Sequence, residues 1–456
     1  MHIKGLVMNR RDFIKKSAIL GSALLFPRYS FAKSDYSNIK FNKRVYEKNL
    51  AQTIVIFLYG GASELGGNLT NIEEIKQNSQ SDYDSYFRGI TPTENGFWRE
   101  AGGDIMEELL SSGDMNIFRT CYSALRDEEN NKSHGRCVSQ NQRGINNDED
   151  TPGIFSIIGD ILYQNKIIDE NSKLPFVTME GDNIFYRSYE KRPSFLTPVS
   201  IDRKLSNPYE RRWTDRSYYY TKEEREDKNY RDKRAALDIA MDILAQKRNK
   251  EGAIKSNFDK RVELEEFINN LKNASLPEGV KYPDRDSFAD KLKVAVNLCA
   301  NNPDTKVVTI GSDGLGGWDD HNEARDYPVR MVSLFSAIKA AIAHIKALKK
   351  DGEINILIFG DFGRNVNLNS AKGWDHGNNQ NVFFFLGKNY FNHLGIVGET
   401  YLPSVGAINR MYLKPKKNSY YFEPFAIAAT LYKIYGIENP EILTGGIEEI
   451  KEGFVI

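Results

Sequence analysis

Two short apolar runs separated by a helical pattern are the sequence feature that most constrains the fold of this chain. The runs are Val307–Ile310 and Ile354–Phe359. Between them, apolar residues recur at helical spacing from Phe335 to Ile345, and Gly352 is placed to end the helix. A strand, helix and strand in this order pair their strands in parallel through a right-handed crossover. The carboxyl ends of both strands are therefore expected at the same edge of a sheet.

Residue types that bind metals follow both of these runs and precede a third apolar run, Val382–Leu386. In chain order, the candidate metal-binding residues are Asp319, His321, Asp361, Asp375 and His376. Side chains from separate clusters can meet in one crevice at the strand ends, the usual place of a ligand site in an open α/β sheet. The sequence therefore predicts a metal or ligand site at this edge.

Strand and helix patterns alternate along the rest of the chain as well. The predicted strands are Thr53–Tyr59, Met115–Thr120 and Pro175–Met179, and the predicted helices are Glu100–Ser112, Ile154–Tyr163, Ser287–Ala300 and Pro424–Tyr435. This alternation predicts the α/β class, with a doubly wound, mostly parallel sheet between helices. A length of 456 residues permits up to about three domains or one elaborated domain. We interpret 33–456 as one elaborated α/β domain.

The middle of the chain, from about 183 to 286, is dense in charge and tyrosine. Helical spacing with exposed charges predicts a helical insertion or cap over the sheet rather than a separately cored domain. Its runs of arginine and tyrosine, such as 209–213, can also line a groove for an anionic ligand. A solvated helical face is the favoured alternative.

The N-terminus carries a twin-arginine pattern, Arg10-Arg11-Asp-Phe13, followed by the apolar segment Ser17–Phe26 and a small-residue exit at Ala32. The apolar segment has about ten residues, roughly half the length of a membrane-spanning helix. It predicts a signal peptide over 1–32, export through the twin-arginine machinery, and a periplasmic or cell-envelope protein. We expect no transmembrane span in the mature chain. A formal net charge of zero gives no indication of nucleic-acid binding.

Three cysteines are too few for a disulfide framework. In an oxidising compartment one bridge is conceivable, between Cys121 and Cys137, with Cys299 left as a thiol. Three separate buried thiols are an equally good interpretation.

Four ordered motifs make this sequence resemble the domain-of-unknown-function family 1501. They are the twin-arginine signal, Gly316-Gly-Trp-Asp-Asp-His321, Asp361-Phe-Gly-Arg364, and Gly373-Trp-Asp-His-Gly377 before an apolar strand. The likeness is strongest from about 286 to 387 and weaker upstream, at Leu58–Gly61 and at Ser133-His134. The family is exported by the twin-arginine route and belongs to the alkaline-phosphatase-like superfamily. The resemblance therefore implies that fold and a two-metal hydrolase of phosphate, phosphonate or sulfate esters, with a Ser, Thr or modified Cys nucleophile.

The chain departs from the superfamily pattern at three positions that matter for metals. The turn after the first strand lacks an aspartate and has Glu64 as its nearest carboxylate, Phe362 stands where a histidine is expected, and Gly317 stands where an aspartate is expected. The remaining candidate ligands are His321, Asp361 and His376, with Asp319 and Asp375 close to them. This set suffices for one zinc, manganese or calcium ion and is thin for two.

Candidate catalytic residues are fewer. Ser133 beside His134 is the leading nucleophile or anion-binding pair, with Ser63 in the glycine-rich turn as the fallback. Arg364 is expected to steady an anionic ester substrate. No cysteine lies in a Cys-x-Pro-Ser-Arg context, which argues against a sulfatase with a cysteine-derived nucleophile.

The clusters also have structural alternatives. His321 can follow a pair of aspartates that cap the next helix, and Asp361 can serve only to neutralise Arg364. We therefore hold two hypotheses: an exported metal-dependent hydrolase of phosphate-type esters, or a non-catalytic envelope protein that keeps the fold and binds a partner or an anionic glycan. A Glu64 side chain directed into the metal position would favour the enzyme.

Overall fold

A computed structural model of the chain describes residues 36–62, 75, 82–87, 89–130, 132–146, 151–181, 183–189, 192–205, 267–403 and 412–453. Four of the sequence predictions lie outside these residues wholly or in large part. They are the signal peptide over 1–32, the fallback nucleophile Ser63, the carboxylate Glu64, and most of the helical insertion over 183–286.

A sheet of eight strands forms the centre of the described chain. Its strands are β1 (Gln52–Leu58), β2 (Met115–Cys121), β3 (Phe176–Thr178), β4 (Val199–Ser200), β5 (Val307–Gly311), β6 (Ile354–Gly360), β9 (Gln380–Leu386) and β10 (Ile396–Val397). Two small ladders accompany it, β7 (Arg364–Leu368) with β8 (Trp374–His376), and β11 (Thr400–Tyr401) with β12 (Lys414–Pro415). The sheet order is β10-β2-β9-β6-β1-β5-β3-β4.

One strand of this sheet runs against the others. Strand β9 is antiparallel to both of its neighbours, β2 and β6, whereas every other pairing in the sheet is parallel. The start of β9 therefore lies at the edge where the other strands end. This reversal decides which loops can meet at that edge.

Helices cover both faces of the sheet. The α-helices are α1 (Lys43–Asn49), α2 (Tyr83–Phe87), α3 (Gly103–Ser111), α4 (Ala124–Glu128), α5 (His134–Arg143), α6 (Ile154–Gln164), α7 (Ser287–Asn301), α8 (Tyr327–Ala347) and α9 (Ala426–Ile434). Short 3₁₀ turns occupy Arg99–Ala101, Ile184–Tyr186, Ser194–Leu196 and Pro440–Ile442.

The central strand β1 is buried along its whole length, as its continuous apolar sequence requires of a strand covered on both sides. Its side chains alternate between two cores. Ile54 and Ile56 pack with residues of α3, α7 and α8, and Val55 and Phe57 pack with residues of α6 and α9. The sheet therefore lies between two helical layers, which confirms the predicted α/β class and its mostly parallel, doubly wound sheet.

Helix α8 crosses over between β5 and β6 and is the longest helix of the described chain. Pro328 lies in its first turn, where a missing N–H costs no helical hydrogen bond. The helix ends at Ala347, before the predicted Gly352, because Lys349 already adopts a left-handed φ of 56°. Helix α8 is also long and apolar enough to span a membrane, yet most of that apolar stretch is buried in this core.

The predicted elements agree with the structure to within about three residues at either end, apart from α8, which begins at Tyr327, well before the predicted pattern at Phe335, and ends at Ala347. The reversed direction of β9 and the β7–β8 hairpin before it were not predicted, and neither were the short strands β4, β10, β11 and β12 or the helices α1, α2, α4 and α5. The possible bridge between Cys121 and Cys137 is not formed, because all three cysteines are buried thiols.

Candidate metal centre

Three histidines and one aspartate meet at the carboxyl edge of the sheet. The ligand atoms of His134, Asp319, His321 and His376 lie within 4.8 Å of one another, close enough to hold one metal ion. Among the described residues, these four side chains form the one group of histidine and acidic side chains whose ligand atoms lie this close together. The structure therefore contains a cluster that can bind a metal.

The four donors reach the cluster from three parts of the fold. His134 is the first residue of α5, which follows β2, and Asp319 and His321 lie between β5 and α8. His376 is the last residue of β8, immediately before β9. Because β9 is antiparallel, the residue before its start lies beside the residues that follow the ends of β5 and β6.

The Nδ1 atoms of all three histidines contact oxygen acceptors. Nδ1 of His134 lies 2.5 Å from Oδ2 of Asp361, and Nδ1 of His321 lies 3.2 Å from Oδ1 of Asp375. Nδ1 of His376 lies 2.5 Å from the backbone carbonyl of Lys132. A carbonyl can only accept, and a carboxylate accepts when ionised, so each Nδ1 is assigned the proton. This pattern is typical of histidines that bind metals through Nε2.

The Nε2 atoms face one point in space. Oδ1 of Asp319 lies 3.2 Å from Nε2 of His134, 3.2 Å from Nε2 of His321 and 3.9 Å from Nε2 of His376. Ligand atoms of a tetrahedral zinc site are separated by roughly 3.3 Å when each lies about 2.0 Å from the metal. Two of these three separations are close to that value, so the four donors surround one point at which a single ion could be held.

One close contact supports a cation at this point. Nε2 of His321 lies 2.7 Å from Nε2 of His376. Nη1 of Arg364 also lies 3.4 Å from Nε2 of His321 and can only donate to it, which agrees with a lone pair on that nitrogen. With both Nδ1 atoms protonated, two lone pairs face each other across 2.7 Å. A metal ion, or a proton shared by the two nitrogens, would relieve this repulsion.

The ring of Phe362 packs against two of the histidines. The centre of its ring lies 4.6 Å from the ring centres of both His134 and His376. A Cβ added to Gly61 would approach this ring to 2.9 Å, so the β1 turn closes the other side of Phe362. The side chain that replaces the expected histidine thus fixes the orientation of two donors.

Arg364 is fully buried and joins the loops that carry the donors. Its Nε donates to the carbonyl of Gly61 at 2.8 Å, and its Nη2 donates to the carbonyls of Gly60 and Trp318. Its Nη1 donates to the carbonyl of Trp374 at 2.9 Å. Nη2 also lies 2.6 Å from Oδ1 of Asp319. The guanidinium therefore ties three loop segments together and orients one donor carboxylate.

The surroundings favour the protonation states that metal binding requires in two of the donors. Burial would raise the pKa of Asp319, but the hydrogen bond and charge of Arg364, with smaller effects of His134 and His321, lower it below its ordinary value. Burial, with the nearby charge of Arg364, lowers the pKa of His376 to about 4. At neutral pH Asp319 is therefore ionised and His376 is neutral, which are the forms that bind metals.

His134 behaves differently in the metal-free chain. Burial would lower the pKa of His134, but its hydrogen bond to Asp361 and the charge of that carboxylate raise the pKa above its ordinary value. A cation in the cluster would replace the proton that this environment favours on Nε2. Metal binding at His134 is thus expected to release a proton.

No family model matches this chain. No curated protein matches it either. Several solved structures share a distant likeness. Ps i-CgsB in complex with k-i-k-neocarrahexaose is 11% identical, with 86% of this chain and 73% of that chain covered and a TM-score of 0.35. The PsFucS1 sulfatase from Pseudoalteromonas sp. is 11% identical over 90% and 74% of the two chains, with a TM-score of 0.34.

A third likeness is to the phosphonate monoester hydrolase from Silicibacter pomeroyi. It is 12% identical, covers 88% of this chain and 77% of that chain, and has a TM-score of 0.30. TM-scores this low leave the function of the centre to be argued from its own residues.

The predicted site residues all lie at or beside the centre, in two layers. Asp319, His321 and His376 are among the converging donors, and His134, expected to be catalytic, joins them. The predicted ligands Asp361 and Asp375 contact the Nδ1 atoms of histidines instead. Ser133 is exposed at the N-cap of α5, next to His134.

The sequence did not reveal two side chains that hold the backbone of Asp361 in place. The backbone carbonyl of Asp361 accepts hydrogen bonds from Nη1 of Arg126 at 3.3 Å and from Nδ2 of Asn141 at 3.0 Å. Nη2 of Arg126 also donates to Oδ1 of Asn141 at 2.7 Å. Asn141 lies two turns along α5 from His134, so the same helix supplies a donor and holds the backbone of the residue that carries the orienting carboxylate. A polar Arg126 in a short helix carries no sequence signal for this role.

Proposed function

We propose that the cluster is a mononuclear zinc centre in which His134, His321, His376 and Asp319 surround the ion. The observation that carries this proposal is the contact of all three Nδ1 atoms with oxygen acceptors while the Nε2 atoms converge. The nitrogen-rich donor set suits zinc, whereas calcium prefers about six to eight oxygen ligands. Phe362 occupies the position from which a second ion would need a histidine, which supports one ion rather than two.

We propose further that the centre hydrolyses sulfate or phosphate esters, as the resemblance to family 1501 and its alkaline-phosphatase-like superfamily implies. Membership of that family, export by the twin-arginine route and a periplasmic or envelope location belong to the same proposal. The support for them is the order of motifs along the sequence, because two of those motifs supply three of the four converging donors and a third supplies Asp361 and Arg364 behind them. Folding before export would allow the centre to be loaded in the cytoplasm.

When bound, zinc supplies Lewis acidity, which polarises an ester oxygen and lowers the pKa of a water molecule. The remaining work falls to side chains of the chain. Asp361 and Asp375 hold the Nδ1 protons of His134 and His321, and so fix the direction of both Nε2 atoms. The carboxylate of Asp319 is 51% exposed and ionised, which leaves it available to accept a proton from an attacking water.

Two roles predicted from the sequence change in this proposal. We assign Arg364 to positioning Asp319 rather than to binding substrate, because its donors contact four backbone carbonyls and that carboxylate. We assign Asp361 to orienting His134 rather than to binding metal. Ser133, one residue before a donor, remains a candidate for contacting the substrate.

A non-catalytic metal-binding envelope protein is the second candidate. The observation that favours it is the number of protein donors, because four donors close a tetrahedral shell and catalytic zinc sites usually keep one position open. The two candidates differ in the role of Asp319. In an enzyme this exposed carboxylate leaves the ion or serves as a base, and in a binding protein it completes the shell.

The deciding experiment measures metal content and ester hydrolysis on the same preparations of the purified chain. We expect about one equivalent of zinc in the wild type and none in a His321→Ala/His376→Ala variant. A His393→Ala variant, altered in an exposed loop histidine, serves as the matched control and should keep the metal. Aryl phosphates, phosphonates and sulfates are then the substrates to test. A folded wild type that takes up no zinc on reconstitution would overturn the proposal.

A further inference from the structure

A buried lysine lies beside the turn that leads from β5 towards the metal centre. The side chain of Lys291, in α7, is only 9% exposed. Its ammonium donates to Oδ2 of Asp313 at 2.8 Å and to the backbone carbonyl of the same residue at 3.2 Å. The Asp313 side chain is 86% exposed, and the hydrogen bond and charge of Lys291 lower its pKa. A carboxylate at the surface therefore neutralises a buried ammonium group.

A second carboxyl group, that of Glu180, lies against the same strand end. Glu180 follows β3, and a Cβ added to Gly311, the last residue of β5, would lie 2.6 Å from its Oε2. This contact is two residues before Asp313. Burial raises the pKa of Glu180 to about 7, and the nearby charge of Lys291 opposes that shift. The same lysine therefore acts on two carboxyl groups, one largely buried and one exposed.

The other side chains that face Glu180 carry no positive charge. Nδ2 of Asn183 donates to its Oε1 at 3.1 Å, and the hydroxyls of Tyr59 and Thr309 also bind the carboxyl. Tyr186 is a further titratable neighbour, and burial raises the pKa of both tyrosines above the ordinary value. Within the described part of the chain, Lys291 is thus the cation placed to pair with Glu180.

An ionised Glu180 would compete with Asp313 for this lysine. A carboxylate that is largely removed from water is stable only with a counter-ion or several hydrogen bonds. Asp313 is exposed, so water can solvate its carboxylate after the lysine has left, and an exposed ion pair contributes little. The inner pairing is therefore favoured as soon as Glu180 has lost its proton.

The turn that Lys291 holds leads directly to two of the metal donors. Gly314 and Gly316 have left-handed φ angles of 101° and 89°, which glycine adopts without strain. Asp319 and His321 follow within five residues of the second glycine. Loss of the lysine contact would therefore release the start of the loop that carries both donors.

We propose that Lys291 exchanges partners with pH, pairing with Asp313 while Glu180 is protonated and with Glu180 once that carboxyl has ionised. The exchange holds the loop of Asp319 and His321 firmly in weak acid and loosens it in weak alkali. The proton passes between Glu180 and solvent, and no covalent bond changes. The exchange itself needs no metal, whereas its control of ester hydrolysis rests on the function proposed above.

Hydrogen–deuterium exchange of the metal-free chain, read by mass spectrometry at about pH 5.5 and about pH 8.5, tests this proposal. After correction for intrinsic rates, we expect residues 312–317 to be about threefold or more less protected at the higher pH. Glu180→Gln cannot ionise and should keep the loop protected at both pH values. Glu108→Gln, which alters a carboxylate in an exposed pair with Lys339, is the matched control and should behave like the wild type.

The proposal is overturned if the wild-type loop is equally protected at both pH values, or if Glu180→Gln loses protection as the wild type does. Asp313→Asn provides a second test, because it removes the outer partner. Its loop should be loosened even at the lower pH, and protection equal to that of the wild type there would also contradict the proposal.

The effect on the metal centre is measured separately, as the rate at which a chelator removes zinc at about pH 8.5. We expect Glu180→Gln to release zinc about threefold more slowly than the wild type, because its loop stays fixed. Loss of a negative charge alone would speed the release instead. Equal rates would refute control of the centre. A chain that binds no zinc would refute the function proposed above without affecting the exchange measured on metal-free protein.

Discussion

The His134 imidazole is held at 2.5 Å from the carboxylate of Asp361, which has no exposed surface. A buried carboxylate in this position orients the ring and strengthens its basicity as a ligand. We therefore expect Asp361→Asn to weaken zinc binding by about 10- to 100-fold without unfolding the chain. Competition with a fluorescent chelator measures the change. Asp351→Asn, which alters a carboxylate paired with Lys388, should bind zinc normally. Unchanged affinity in Asp361→Asn would contradict the orienting role.

Asp319→Asn separates the two candidate functions. If Asp319 is the base of a hydrolase, the variant keeps the ion on three histidines and loses about 100-fold or more in kcat. We expect this result, because the carboxylate is half exposed and Arg364, by lowering its pKa despite partial burial, keeps it ionised at neutral pH. Metal content and kcat are measured on the same sample. Loss of the ion itself would identify Asp319 as the fourth structural ligand.

Arg364→Lys is expected to destabilise the fold by roughly 3 kcal/mol or more, because a lysine cannot replace a buried guanidinium that reaches several carbonyls at once. Urea unfolding of the metal-free proteins measures the difference. The control is Arg99→Lys, since Arg99 forms an exposed pair with Asp104 at 3.1 Å. A lysine variant as stable as the wild type would show that the three loops hold their places without Arg364.

The buried His344 should make the free energy of unfolding fall as the pH becomes acidic. It lies buried in α8, with Nδ1 3.1 Å from the hydroxyl of Tyr282, and burial lowers its pKa from 6.5 to about 4. In the unfolded chain His344 binds a proton at about pH 6.5, whereas in the folded chain it binds that proton only at about pH 4. The contribution is therefore complete above pH 6.5 and is lost as the pH falls toward 4. In His344→Gln, urea unfolding should depend less on pH over this window, and an unchanged dependence would contradict the assignment.

The buried Glu180 should make the free energy of unfolding depend on pH in the opposite direction. Burial raises the pKa of this carboxyl from 4.5 to about 7, and Nδ2 of Asn183 donates to its Oε1 at 3.1 Å. The folded chain then holds a proton that the unfolded chain has lost, so the contribution is present below pH 4.5 and declines as the pH rises to about 7. Glu180→Gln keeps a neutral side chain at every pH and should remove this decline in denaturant titrations. A decline that persists would assign it to another group.

The strands and most of the site clusters were predictable because their signals are local. A run such as Ile354–Phe359 is too apolar for a loop, and Asp361 follows it directly. The direction of β9 was not predictable, because the apolar run Val382–Leu386 has the same composition in either orientation. Only the pairing of β9 with β2 and β6 sets its direction.

The division between ligands and their supports was also beyond the sequence. Asp361 and Asp319 are both aspartates just past a strand, and a few ångströms decide which one faces the ion. The sequence did not place His134 among the donors for another reason: it lies 185 residues before Asp319, and nothing local indicates that α5 begins beside β5 and β6. Arg364 was expected to bind substrate because the sequence does not reveal that backbone carbonyls already surround its guanidinium.

The position of His134 in the chain has a mechanical consequence. This donor precedes the charged segment in the middle of the sequence, whereas Asp319, His321 and His376 follow it. A bound ion would therefore be a reversible cross-link between the N-terminal and C-terminal halves of the polypeptide. After a proteolytic cut between residues 205 and 267, the two fragments should separate more readily once a chelator has removed the ion. The centre would then stabilise the association of the two halves in addition to its chemical role.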